Sequence, residues 1–156
     1  MIIYILNNSK QIAKQTKILS NKLHKNDNLS KSHSGVYTVF AVNGNGPVGV
    51  DIERKVYRSQ RTIQHFFSKY KSFEIEGCTT MDQNSFYKSW TAMESYYKMC
   101  KKGFYTDKRF CLNLKTNTIR TFNKMYYISY VEDDDYIISV CTEGKDDIEL
   151  RFDVKM

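Results

Sequence analysis

Two runs of strand-forming residues, 36–42 (VYTVFAV) and 48–52 (VGVDI), stand either side of Asn43-Gly44-Asn45-Gly46-Pro47. β-branched and aromatic side chains favour the pleated surface of a sheet, and Asn-Gly is a strong local turn signal between antiparallel strands. The spacing predicts that the two runs pair as a hairpin, which commits this part of the chain to a sheet. Other elements are read around it. Residues 2–6 read as a strand. Residues 9–25 read as a helix, with Ile12, Thr16, Leu19 and Leu23 on one stripe. Residues 26–35 are polar and read as a loop. Residues 61–70 look helical. Residues 84–102 give the clearest helix, with Phe86, Trp90, Met93 and Tyr97 on one face. Four strand-like runs follow at 110–115, 118–123, 126–131 and 136–141, with turns at Asn117 and at Asp133-Asp134-Asp135. The alternation Ile148-Leu150-Phe152-Val154 suggests an edge strand. The expected class is α+β, with mostly antiparallel sheets and long helices packed on them.

The bulk properties exclude several functions. A chain of 156 residues with 41 % hydrophobic and 14 % aromatic residues can bury one core. No apolar run approaches the ~20 residues of a membrane span. Residues 1–6 lack a basic start and a small-residue cleavage site, so a buried strand is expected there rather than a signal peptide. The expectation is a cytoplasmic monomer without a membrane partner. A formal charge of +7 favours anionic partners. The Lys and Arg residues are scattered, and no nucleic-acid recognition signature stands out, which argues against DNA or RNA. Cys78, Cys100, Cys111 and Cys141 form no CxxC pair, so zinc is not expected; Cys111 and Cys141 read as small core residues.

The chemistry concentrates in two short segments. Asp51 and Glu53 are two apart in a strand-like run and therefore share a face. Glu94 and Lys98 are four apart in the helical segment and share a face too. Both lie at the edge of the apolar stripe. Three carboxylates and one ammonium can thus converge where a strand meets a helix. Hard cations such as Mg²⁺ take oxygen ligands and complete their shell with water and substrate phosphates, and a lysine nearby suits a phosphate. The pattern reads as a metal-assisted phosphoryl-transfer site. His33-Ser34-Gly35, just before a strand, suits anion binding; no GxSxG elbow surrounds Ser34, so a hydrolase triad is not expected.

In order along the chain, His33-Ser34-Gly35, Gly49-Val50-Asp51-Ile52-Glu53 and Trp90-Thr91-x-x-Glu94-Ser95-x-x-Lys98 resemble the motifs of the 4′-phosphopantetheinyl transferases, of the type serving nonribosomal peptide synthetases. Those motifs run SHS, G(I/V)D(I/V)E and W(S/T)xKEAxxK. Phe66-Phe67-Ser68 is similar to the family's short phenylalanine-rich helix, and Tyr127-Ile128-Ser129-Tyr130 with 136–141 to its closing hairpin. The likeness covers about residues 30–145. It implies one domain over 1–156 made of two pseudo-twofold-related α+β halves, about 1–50 and 51–156, with the ligand site at their junction. It implies coenzyme A as substrate and Mg²⁺, or Mn²⁺ in its place, on Asp51, Glu53 and Glu94. His33, Ser34, Lys31 and Lys98 would contact the coenzyme. Glu94, Lys98 and Glu53 would be catalytic as a carrier-protein serine attacks the β-phosphate and 3′,5′-ADP leaves.

Two departures stand out. Met93 occupies the position of the family's WxxKE lysine, and by helical phase it falls on the apolar stripe. Only 32 residues precede His33, fewer than in longer members. The runner-up reading is therefore a catalytically weak relative that binds coenzyme A or an acyl or peptidyl carrier protein without efficient turnover. A basic nucleic-acid-binding module comes third. Residues 56–73, where aromatic residues alternate with Arg58, Arg61, Lys69 and Lys71, are the expected docking surface for an acidic carrier.

Overall fold

The computed structural model describes residues 1–7, 14, 17, 18, 21, 28–69, 73–101 and 109–152. Lys14, Lys17, Ile18 and Asn21 are helical; the rest of the helix expected over 9–25, including its apolar stripe, lies outside the described residues. The elements are β1 (Ile2–Leu6), β2 (Asn28–Ser34), β3 (Tyr37–Asn43), β4 (Val48–Arg54), α1 (Gln60–Lys69), β5 (Phe73–Glu76), α2 (Gln83–Cys100), β6 (Phe110–Asn113), β7 (Thr118–Arg120), β8 (Met125–Glu132), β9 (Tyr136–Thr142) and β10 (Glu149–Phe152). They form a four-stranded sheet in the order β10-β1-β3-β2 and a six-stranded sheet in the order β4-β9-β8-β7-β6-β5. All pairings are antiparallel except β1–β10 and β5–β6. The class is α+β, as the sequence implies.

The expected hairpin between 36–42 and 48–52 does not form. β3 already has β1 on one edge and β2 on the other, so it has no edge left to offer. Residues 44–47 instead carry the chain from the first sheet to the second, where β4 pairs with β9, Asp51 opposite Ser139 and Glu53 opposite Ile137. The loop expected over 26–35 is also corrected: residues 28–34 are strand β2. β4 belongs wholly to the second sheet, and β10 returns the last described residues to the first.

The even-numbered face of β4 builds the core between the sheets. Val48, Val50 and Ile52 pack with Ile3, Ile5, Val39 and Ala41 of the first sheet and Ile138 and Val140 of β9. Each fully buried aliphatic side chain of this kind stabilises by about 1.5–3 kcal/mol. The odd-numbered face, Gly49, Asp51 and Glu53, turns to α2. The helix meets the strand at Gly49, where a Cβ would lie 1.8 Å from the Ser95 carbonyl oxygen and 2.5 Å from the Met99 nitrogen. The bare backbone of Gly49, with the small buried Ala92 and Ser95 of α2, lets helix and strand come this close.

Aspartate 82 starts α2 by accepting a 2.7 Å hydrogen bond from the Ser85 amide, which satisfies one of the helix's orphan N–H groups. Lys101 ends it in the left-handed region at φ 51°. Phe86 and Tyr87 are buried against Ile63 and Ile137, with Phe66, Phe67 and Trp90 packed around them. Phe66 and Phe67 of α1 therefore close the core.

Candidate active site

β2 and β4 are the facing edges of the two sheets, and no backbone ladder joins them. Serines join them instead. Ser30, Ser32 and Ser34 alternate along β2, so their side chains share one face. The Val50 amide donates to Ser30 Oγ (3.0 Å) and the Arg54 amide to Ser34 Oγ (3.0 Å). Two outward N–H groups of an edge strand are thereby satisfied. The same serines reach the carboxylates: Ser32 Oγ donates to Asp51 Oδ1 (2.8 Å) and Ser34 Oγ to Glu53 Oε2 (3.2 Å).

Helix α2 supplies the other side. Lys98 Nζ donates to Asp51 Oδ1 (2.6 Å) and to Ser32 Oγ (2.9 Å). Asp51 is only 3 % exposed, and its Oδ2 is buried without a hydrogen-bond partner. Burial pushes the Asp51 carboxyl above its ordinary range, and Lys98 pulls against that shift. Glu53 is raised from 4.5 to about 7, first by burial, then by the charge of Asp51, with Glu94 adding to it. Glu94 is likewise raised to about 7 by burial and by Asp51, while Lys98 and a hydrogen bond with Trp90 oppose the rise. The three carboxylates feel one another's charge in a half-buried place, where screening is weak.

Lys98 is thus brought onto Asp51 and Ser34 onto Glu53, and the charge of Asp51 reaches both Glu53 and Glu94. His33 and Lys31 are not part of this cluster. They are exposed on the other face of β2; His33 lies opposite Thr38, and the Lys31 ammonium sits 5.3 Å over the Phe40 ring. Ser32 belongs to the cluster and was not foreseen, because 26–35 read as a loop. The period-two serines of Asn28-Leu29-Ser30-Lys31-Ser32-His33-Ser34 were the available signal. Met93 is fully buried, so it packs in the core.

The segment after β4 is held to α2. Tyr87 Oη donates to the Val56 carbonyl (2.6 Å) and accepts from the Val56 amide (3.1 Å). Gln83 clasps Arg58 through both its backbone groups, at 2.8 and 2.6 Å. The Arg58 guanidinium lies 6.0 Å over Trp90 and contacts Tyr87 Oη at 3.4 Å. Of the expected docking surface, Arg61 is exposed, Phe73 packs on Phe110, and Tyr70 and Lys71 lie outside the described residues.

The donor chemistry suits a hard cation: three carboxylates, one with a buried oxygen that lacks a partner. Among the described residues, no three His, Cys, Asp or Glu side chains stand close enough together to hold a metal ion as they are placed. Lys98 is the cation at Asp51 in this arrangement.

The chain is thus an α+β protein with an acidic, half-buried site where one edge strand crosses one helix. The sequence model of the 4′-phosphopantetheinyl transferase superfamily matches residues 47–141, more than half of the chain and the whole of β4, α2 and the site they form. The chain belongs to that superfamily. It is also 36 % identical, over 75 residues, to a 4′-phosphopantetheinyl transferase, gsp, of Aneurinibacillus migulanus. That match takes in 47 % of this chain and 31 % of the relative, so the chain spans about a third of the relative's length.

Proposed function

We propose that this chain transfers the 4′-phosphopantetheine arm of coenzyme A to a serine of an apo acyl or peptidyl carrier protein, releasing 3′,5′-ADP. What supports the reading is the Lys98–Asp51 ion pair, with Glu53 and Glu94 near enough for the charge of Asp51 to act on both, inside the region that matches the superfamily. Asp51, Glu53 and Glu94 are the residues that would hold Mg²⁺ or Mn²⁺. A divalent cation there supplies charge neutralisation on the coenzyme's pyrophosphate.

The chain's own groups do the rest. Lys98, with three donors on a flexible stem, takes a phosphate oxygen and offsets charge as the pyrophosphate bond breaks. The carrier serine Oγ bonds to the β-phosphorus, the bond from that phosphorus to the bridging oxygen breaks, and 3′,5′-ADP carries the electron pair away. The serine proton passes to Glu53 or Glu94. Ser34 orients Glu53 through its 3.2 Å bond. The exposed His33 and Lys31, on the other face of the same strand, are the basic groups proposed for the coenzyme's further phosphates. The charge of +7 suits an anionic coenzyme and an acidic carrier domain. No helix among the described residues is long and apolar enough to cross a membrane, and a monomer working in the cytoplasm, in nonribosomal peptide or related secondary metabolism, completes the proposal.

The test is incubation with coenzyme A, Mg²⁺ and an apo carrier protein, followed by mass spectrometry of the carrier. The expected result is the phosphopantetheine increment on one serine. The buried Met93, where the family's motif has a lysine, favours the second reading, a relative that binds without efficient turnover. Coenzyme binding by calorimetry with no increment on any carrier would select that reading.

A further inference from the structure

Asp51, Lys98 and Ser32 form a closed ring of hydrogen bonds: Lys98 Nζ to Asp51 Oδ1 (2.6 Å), Lys98 Nζ to Ser32 Oγ (2.9 Å) and Ser32 Oγ to Asp51 Oδ1 (2.8 Å). We infer that Lys98 is a built-in competitor for the divalent cation at Asp51, held there by Ser32, so that the cation enters together with an anionic phosphate ligand. The inference rests on the functional reading above, in which Asp51 takes a divalent cation.

A buried carboxylate without a counter-charge is costly, and a protein that must fold without metal needs a cation at Asp51. Lys98 meets that need. Its side chain is 31 % exposed against 5 % for Asp51, so the stem has one end in the site and room to swing outward. An ammonium and a divalent ion on the same half-buried carboxylate repel each other, and salt screens little of that repulsion. Two arrangements follow: Lys98 on Asp51, or the cation on Asp51 with Lys98 turned to the site's mouth. A phosphate at the mouth gives the displaced ammonium a partner and so favours the second. Cation and phosphate ligand then strengthen each other's binding by one common factor. Ser32 is a positioning residue. It donates to Asp51 and accepts from Lys98, which a hydroxyl alone among small side chains can do. Nothing in this role requires Ser32 to touch a ligand.

The experiment is calorimetric titration of the full chain with Mn²⁺, alone and with coenzyme A present. The wild type is expected to bind Mn²⁺ roughly tenfold or more tightly with coenzyme A than without it, inside the usual 5–150-fold range of coupling between two ligands. Lys98→Met is expected to bind Mn²⁺ alone more tightly than the wild type does alone, and to gain less from the coenzyme than the wild type gains, keeping only the direct attraction between cation and pyrophosphate. Ser32→Ala, which keeps both charges, should fall between them. Loss of the Lys98 charge tightens Mn²⁺ binding by electrostatics alone, so Ser32→Ala is the discriminating variant: a purely structural role for Ser32 would weaken Mn²⁺ binding on substitution, not tighten it. If Lys98→Met does not fold, Ser32→Ala decides: tighter Mn²⁺ alone supports the latch, and unchanged or weaker binding overturns it. Asp51→Asn separates the two levels of the argument. Loss of Mn²⁺ binding in Asp51→Asn, with no tightening in the other variants, overturns the latch and leaves the functional reading standing. Wild-type Mn²⁺ affinity in Asp51→Asn places the cation elsewhere and overturns both.

Discussion

Glu53 and Glu94 carry carboxyls raised from 4.5 to about 7, and the cause is the same for both: partial burial beside Asp51. The folded state therefore binds protons more tightly than the unfolded chain between those values. By linkage, stability in the absence of divalent cations falls as pH rises from about 4.5 to about 7, then levels off. Denaturant midpoints measured at pH 5 and pH 7.5 should show the decline. Glu53→Gln and Glu94→Gln should each flatten part of it, and a pH-independent midpoint would contradict the account. The proposed function places transfer most heavily on Asp51. Asp51→Ala should lower the transfer rate by orders of magnitude, since charge stabilisation by a metal ion contributes several kcal/mol; an unchanged rate in a discontinuous assay would count against its role. Asp51, Glu53, Glu94 and Lys98 were legible in the sequence because periods of two and of four place such pairs on one face of a strand or a helix. Ser32 was not, because a run of Ser, Lys and His has no apolar alternation to announce a strand. Its partner is 19 residues away on another sheet.

At the scale of the element, the strand expected over 2–6 matches β1 at both ends, and the helix expected over 84–102 differs from α2 by one or two residues at each end. Phe86, Trp90, Met93 and Tyr97 recur at helical spacing, and Asp82 caps the start. The hairpin between β3 and β4 failed as an expectation for a non-local reason: β1 and β2 occupy both edges of β3. β5 escaped notice because a four-residue Phe-Glu-Ile-Glu run is too short and too charged to stand out, and its parallel partner β6 is supplied by distant chain. The crossing of β4 and α2 sets the site's geometry, and Gly49 sets the crossing. A methyl there meets backbone, not a side chain that could turn aside. Gly49→Ala should therefore destabilise by about 1–3 kcal/mol or more, as overpacking does, and should also separate Lys98 from Asp51. Urea denaturation gives the first quantity; a cost below a few tenths of a kcal/mol would mean that the helix approaches less closely than described.

At the scale of the whole molecule, the described residues form two sheets that meet along the seam between β2 and β4. The apolar core behind β4 holds them together, and the serines of β2 fix how the edges lie. β10 reinforces the first sheet: it runs parallel to β1, and the Glu149 amide donates to the Met1 carbonyl at 3.0 Å. No sequence pattern announces a seam made by side chains, and this is the part of the fold that was least legible. Ser30→Ala with Ser34→Ala removes the acceptors of the Val50 and Arg54 amides. Hydrogen exchange at those two amides should speed up while exchange in β8 and β9 stays as it was; equal protection in the variant would mean that the serines do not hold the seam. The site stands on this seam, with Ser32 and Ser34 from one sheet and Asp51 and Glu53 from the other. The most direct test of the account is the transfer reaction itself, followed by carrier mass with coenzyme A in excess chelator and again after Mg²⁺ is restored, for the wild type and Asp51→Ala. The account predicts no increment in chelator, recovery with Mg²⁺ in the wild type, and no recovery in Asp51→Ala. Full transfer in chelator, or equal recovery in the variant, would contradict it.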